Sequence, residues 1–464
     1  MRTPSLSAWL AAALVVIAAA PAHSAPAAAQ PAGASFAIPN VDKIEKLTLD
    51  NGLTILVWPD FDIPNVALYN WVRVGSRNEA PGITGLAHFF EHMMFNGTSR
   101  RQPGEFDRIM EANGGANNAS TNDDVTIYQD WFPRAALEVI FDLEADRLQN
   151  LAFTPAVIDS ERGVVYSERR LRVEDDNNGM LFEQVQSTAF VAHPYQFPTI
   201  GWPSDIKSWS LQDLQTFFRT YYAPNNQTMV FAGAVEPKEI FALARKYLAP
   251  IPRQDAPDPV RTVEPEQMGE RRVLIEADAQ TPLLHLAYHG LAAADARMPA
   301  AQLLISILTE GDASRLHRLL VEQEKVAIAV QGYLQEGFDP GLFWILATVP
   351  TGMDPSRTEG VLNKELERVA NEGVTDAELA RAKNLFASAF WKQIGTIDGK
   401  AELLGRYQTF DGDYRKLFDA PATFEKVTRE DVRKVAAELL KRTRRTVGTL
   451  VPKPQPADAA AGEG

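Results

Sequence analysis

His88-Phe89-Phe90-Glu91-His92 sets two imidazoles and a carboxylate at positions i, i+3 and i+4. On a helix these positions share one face, so the three groups point into one small volume. Neutral imidazoles suit Zn2+, and a carboxylate beside them suits proton transfer from a metal-bound water. His-x-x-Glu-His is the inverted form of the zincin signature. The bland alternative is a surface helix with a chance pair of histidines; the chain has seven histidines, and two of them fall here. Catalytic zinc takes three protein ligands and keeps one position open, so a third ligand is required. The chain has no cysteine, which leaves only histidine or a carboxylate for that role. Residues 161–168, ERGVVYSE, offer Glu161 and Glu168 seven residues apart, nearly two helical turns and therefore on one face. Spacing alone leaves either carboxylate free to face the metal.

The elements that must position these groups are legible as patterns. Residues 47–58, LTLDNGLTILVW, alternate β-formers around Asn51-Gly52, a strong hairpin signal. Residues 66–74 form a second apolar strand. Thr84 stands before GLAHFFEHMMF as an N-cap for the metal-site helix. Helices are expected over 105–112, 135–148, 155–172 and 211–222, with strands over 125–131 and 227–234. Phe89 and Phe90 are expected in the core, holding the helix still. Five prolines in residues 250–265 break the pattern and read as a linker. After it, a strand at 283–288, a helix at 298–308, a helix at 428–440 and a strand at 446–451 repeat the order of the first half. The expected fold class is α+β: two similar domains, each a mostly antiparallel sheet packed with helices, related by internal duplication. The bounds are 41–250 for the metal-binding domain, 251–270 for the linker and 271–453 for the second domain.

Composition narrows the function classes. The chain has 464 residues, of which 45% are apolar and 23% charged, ordinary for globular protein. Its net charge is −14, from 46 basic and 60 acidic residues, and no basic run rescues nucleic-acid binding. Arg2, the apolar run 9–20 and Ala22-His23-Ser24 read as a secretory signal cleaved before Ala25. Residues 25–40 then form a disordered lead-in and 454–464 a disordered tail. No later segment is long and apolar enough to span a membrane. The expectation is a periplasmic protein, with secretion as the alternative.

The chain resembles the pitrilysin/insulinase family of inverted zinc metallopeptidases, in the half-length branch that includes mitochondrial processing peptidase. The residues that carry this are VGSRNE at 74–79, GLAHFFEHMMFNGT at 85–98, Asn118-Ala119-Ser120-Thr121, ERGVVYSE at 161–168 and HPY at 193–195. The resemblance spans residues 43–453. It implies that His88, His92 and Glu168 hold one Zn2+ per chain and that Glu91 is the general base. It also implies that Glu161 orients a ligand histidine, and that Asn118 and Ala119 lie on an edge strand that takes up the substrate backbone. Self-sufficient members carry an Arg and a Tyr seven residues apart, after a Ser-Arg-Leu element, to bind substrate and oxyanion. Here Ser314-Arg315-Leu316 is present, but those two positions read Val321 and Ile328. The departure implies a homologous partner subunit that supplies the pair, with a homodimer as the alternative. Arg315 and Tyr333 are the in-chain substitutes to weigh against it.

Two further features have bland readings. His285 and His289 share one face of a strand without a spaced carboxylate, and read as structural histidines. Four basic residues within 441–445 read as a solvated helix end.

Overall fold

Alternating β-formers around Asn51-Gly52 build the first hairpin, β1 (Glu45–Thr48) and β2 (Thr54–Pro59), with Thr48 opposite Thr54. Gly52 takes φ 91°, the left-handed region that a Cβ disfavours. The computed structural model describes residues 38 and 40–453. The signal segment, the cleavage point before Ala25 and the tail at 454–464 lie outside the described residues.

β3 (Asn65–Val72), β4 (Ala116–Thr121), β5 (Thr126–Pro133) and β6 (Gln227–Gly233) complete a six-stranded sheet in the order β1-β2-β6-β3-β5-β4. A second, five-stranded sheet uses β7 (Arg271–Ala277), β8 (Leu283–His289), β9 (Ala329–Leu334), β10 (Leu342–Thr348) and β11 (Arg445–Pro452). Its order is β7-β11-β8-β10-β9. Without β1 the two sheets have the same topology. β2 runs parallel to β6 as β7 runs parallel to β11, and the remaining pairs are antiparallel. The duplication expected from element order is therefore written in strand order.

Helices α1 (Leu86–Met93), α2 (Glu105–Ala112), α3 (Leu137–Asn150) and α4 (Pro155–Arg169) lie in the first half. Their apolar stripes share one core with Ile55, Val57, Leu68 and Phe231 of the first sheet. Each such fully buried side chain stabilises the fold by about 1.5–3 kcal/mol. Helix α5 (Asn177–Ala189) behaves differently. It packs against β7, β8 and β11 of the second sheet, where Leu181 and Val185 join Leu283, Trp344 and Leu450. Helix Ile397–Phe410, from the second half, packs in turn against β2, β3 and β6 of the first. Each half thus lends a helix to the other's sheet. Glycine makes both approaches close: a Cβ on Gly448 would stand 2.2 Å from Val185, and one on Gly405 would stand 1.9 Å from the Trp71 indole nitrogen.

Residues 251–270 hold no helix or strand but are anchored. The Glu264 carboxylate accepts the backbone N–H groups of Val191, Ala192 and His193, each at 2.9 Å. The basic run near the end departs from expectation. Arg445 is buried and bound by Glu270, Glu359 and Asn363, so only the earlier part of that run is solvated. No helix among the described residues is long and apolar enough to cross a membrane.

Candidate metal centre

α1 is short, and its N-terminal N–H groups need partners. Thr84 does not provide one. Its hydroxyl donates to Asp205 at 2.8 Å, and the cap position falls to Gly85 at φ 88°. The Glu79 carboxylate does the capping instead, accepting Gly85 N–H at 2.7 Å and Ala87 N–H at 2.8 Å. A carboxylate at a helix N-terminus is also favoured by the helix dipole. Phe89 and Phe90 are fully buried, and Phe90 stacks on Phe217 at 5.6 Å. The Tyr128 hydroxyl donates to the Phe90 carbonyl at 3.0 Å, which fixes the far end of the helix. The sequence thus builds a helix gripped at both ends, with His88, Glu91 and His92 on the face left over.

α4 lies across that face. Glu168 Oε2 stands 3.6 Å from His88 Nε2 and 3.4 Å from His92 Nε2. Ligands at about 2.0–2.1 Å from a tetrahedral zinc lie about 3.3 Å from each other, so these spacings fit one shared ion. Glu161 approaches His92 from the other side, with Oε1 at 2.7 Å from Nδ1. Asn96 donates to Glu161 Oε2 at 2.7 Å and so fixes that carboxylate. Glu91 belongs to the cluster too: its carboxylate and the two imidazoles present ligand-type atoms within 4.8 Å of one another. A single oxygen of Glu168 faces both Nε2 atoms. The α4 helix ends sooner than expected, at Arg169, and continues as a π-helical turn over Arg170–Glu174. From that turn Arg172 reaches back to Glu168 Oε1 at 2.9 Å.

Protonation states follow from burial and neighbours. Burial, aided by the adjacent His92, pushes His88 down to about 3 and keeps its imidazole neutral, the form a metal requires. Burial works against charge on His92 as well, but the Glu161 and Glu168 hydrogen bonds outweigh it and lift the metal-free imidazole to about 9. Burial raises Glu168, yet the hydrogen bond from His92 and the neighbouring Arg172 bring it to about 2. Burial also raises Glu91 above the usual carboxylate value, partly offset by a hydrogen bond with Thr121. A carboxyl raised in this way suits a group that takes and returns a proton.

Thr121 is the site residue that the sequence reading passed over. It ends β4, on the same strand face as Ala119, whose side chain is buried in the first core. Its position in the segment 118–121 was the available signal. Asn118 and Ala119 lie opposite Gln129 and Tyr128 in β4, which is an outer strand of the first sheet. Strand alternation leaves every second β4 residue with its N–H and C=O turned away from β5.

Val321 and Ile328 lie in the second half. Val321 packs on the second core, and Ile328 is exposed just before β9. Of the in-chain substitutes, Arg315 has its guanidinium engaged and Tyr333 is partly exposed. Arg315 is clamped by Glu378 at 2.5 and 2.7 Å, and Tyr333 stacks on Trp344 and Phe182. His285 and His289 are buried in β8, and burial lowers both, His285 to about 4. No second metal-type cluster accompanies them among the described residues.

Comparison with known proteins gives the fold and the family. Residues 62–201 match the family described as Insulinase (Peptidase family M16), and residues 208–386 match the one described as Peptidase M16 inactive domain. The zinc protease PqqE of Helicobacter pylori is 31% identical over 424 residues, covering 88% of this chain and 93% of that protein. An uncharacterised zinc protease of Streptomyces coelicolor is 27% identical, covering 87% of this chain and 88% of its own. The crystal structure of a protease from Helicobacter pylori superposes with a TM-score of 0.85 at 29% identity, covering 89% of this chain and 99% of that one. The periplasmic protease PqqL of Escherichia coli shares the fold at a TM-score of 0.71 and 20% identity, with 89% of this chain matched to 48% of that chain. The chain belongs to the insulinase family of peptidases, peptidase family M16.

Proposed function

We propose that the chain is a zinc-dependent endopeptidase that hydrolyses peptides or unfolded polypeptide segments, with one zinc per chain held by His88, His92 and Glu168. The observation that carries this reading is the single Glu168 oxygen 3.4 and 3.6 Å from two imidazole nitrogens, with Glu91 beside them. The zinc-protease names of the relatives in Helicobacter pylori and Streptomyces coelicolor support it. Bound zinc would polarise the scissile carbonyl and acidify water. Glu91 takes the proton of the attacking water and returns it to the leaving amide nitrogen. Thr121 holds the Glu91 carboxylate in place, and Glu161 fixes the ring orientation of His92. An extended substrate lies along the outer edge of β4 at Asn118 and Ala119, adding a strand to the first sheet.

We assign oxyanion binding to a second subunit. Val321 and Ile328 carry no hydrogen-bonding side chain, and Arg315 is held by Glu378. A homologous subunit bearing the Arg and Tyr completes the site; a homodimer is the fallback arrangement. The N-terminal apolar run and the periplasmic source of PqqL support export to the periplasm.

Cleavage of quenched fluorescent peptides by the zinc-loaded chain, with Glu91→Gln as the blank, tests the reading. Loss of roughly 10²-fold or more is expected in the blank, the usual contribution of a general base. Equal rates would sink the assignment.

A further inference from the structure

The two sheets share a topology but not their outer edges. In the first sheet β1 covers β2. In the second sheet no described strand pairs with the outer edge of β7, the counterpart of β2. An uncovered strand edge presents free N–H and C=O groups and is a template for pairing with another chain.

Side chains along β7 indicate which chain. The strand reads Arg271-Arg272-Val273-Leu274-Ile275-Glu276-Ala277, with Arg272, Leu274 and Glu276 exposed on one face. Leu274 is 69% exposed, unusual for a large apolar side chain within a strand. Val263 and Met268, in the segment leading into β7, are 81% and 83% exposed. Three of the four most exposed large apolar side chains among the described residues therefore fall within residues 263–274. Clustered exposure of this kind marks interaction surfaces.

The exposed pattern is self-complementary. Antiparallel pairing of β7 with a second β7 about a twofold axis at Leu274 sets Leu274 opposite Leu274. It sets Arg272 opposite Glu276 twice, and on the other face Val273 opposite Ile275 twice. Opposite charges and apolar pairs directly across a ladder each stabilise it, whereas like charges would not. Arg272 already binds Glu270 and Glu359, but its side chain stays 49% exposed and free to face Glu276 of the second copy. Charged edge residues can serve simply to repel other chains. That role needs no mirror-related Arg and Glu about an exposed leucine.

We propose that β7 is a self-association edge, and that two copies of this chain join their second sheets through antiparallel β7–β7 pairing centred on Leu274. The contact is isologous, as closed twofold dimers require. It rests on β7 alone and does not draw on the peptidase reading or on a partner that completes the metal site.

Mass by light scattering and sedimentation on the mature chain tests this directly. The parent chain is expected to be a dimer, and Leu274→Asp, which sets two carboxylates across the axis, a monomer. Glu276→Arg is expected to weaken the dimer at least tenfold, and R272E together with E276R to restore it. A monomeric parent chain overturns the proposal, as does a dimer that Leu274→Asp leaves intact. Should Leu274→Asp fail to fold, the absence of cysteine gives a second test. Opposed Cα atoms in an antiparallel ladder lie about 4.5–5.5 Å apart, within disulfide reach. Leu274→Cys should cross-link to a covalent dimer on mild oxidation, while Phe61→Cys, exposed elsewhere, should not. No cross-link at 274, or equal cross-linking at both positions, overturns it.

Discussion

His92 is gripped from two sides, Glu168 facing its Nε2 and Glu161 its Nδ1. Imidazole ligands anchored in this way hold metal more tightly, and losing the anchor lowers affinity about 10–100-fold. Glu161→Gln should therefore weaken zinc retention by that amount in competition with a chelator, with cleavage recovered by added zinc. Unchanged affinity would remove Glu161 from the site. Thr121 acts on the proton carrier instead. A hydrogen bond to a charged group contributes roughly 1.5 kcal/mol, so Thr121→Val should lower kcat about tenfold while zinc content stays constant. A loss of zinc in that variant would mean that Thr121 shapes the metal pocket rather than Glu91. Sequence spacing reached His88, Glu91 and His92 because a helix face is a local pattern. It left Glu161 and Glu168 open because both lie on one face of α4, and only the placement of α4 across α1 separates them.

Among elements, the exchanged helices were the part that local pattern could not show. The hairpin at Asn51-Gly52 and the helix at 105–112 are written in nearby residues, and the structure has both. The destination of α5 is not local, since its apolar stripe is equally able to cover either sheet. Thr84 and Gly85 are both acceptable cap residues, and Asp205, distant in sequence, decides between them by taking the Thr84 hydroxyl. Arg445 is buried for the same kind of reason, its partners Glu270 and Glu359 coming from other elements. The exchange has a measurable signature. Alanine in place of a helical glycine gains roughly 0.8–1 kcal/mol of propensity. In Gly405→Ala the added Cβ would stand 1.9 Å from the buried Trp71 ring, and overpacking costs about 1–3 kcal/mol. The variant should be net destabilised in urea unfolding; a stabilised one would mean the contact is loose. The Arg315–Glu378 pair gives an element-scale pH dependence. Burial pushes Glu378 up, but Arg315 and the Thr375 N–H and hydroxyl bring it to about 2, against an ordinary 4.5. A carboxyl lowered in the folded state stabilises fully above pH 4.5 and loses that contribution as pH falls toward 2. Glu378→Gln should therefore lie furthest below the parent near neutral pH, with the gap narrowing below pH 4.5. A constant gap would show that the charge on Glu378 is not what stabilises the pair.

At the scale of the whole molecule, the first half carries the metal-type cluster and the second half repeats its sheet without one among the described residues. Val321 and Ile328 leave the second half without the donors that the resemblance leads one to expect. A homologue bearing the Arg and Tyr should raise kcat/KM about 10²-fold or more when mixed with this chain, by analogy with restoring an oxyanion donor. Full activity of the chain alone, unmoved by such a partner, would place oxyanion binding within this chain. The expectations for activity and zinc retention depend on the metal site. The most direct test is zinc per chain, by elemental mass spectrometry after exhaustive dialysis, for the parent, Glu91→Gln and Glu168→Ala. One zinc in the parent, one in Glu91→Gln and little in Glu168→Ala is the predicted result. A parent chain that holds no zinc, or a Glu168→Ala chain that holds as much as the parent, would contradict the account at its centre.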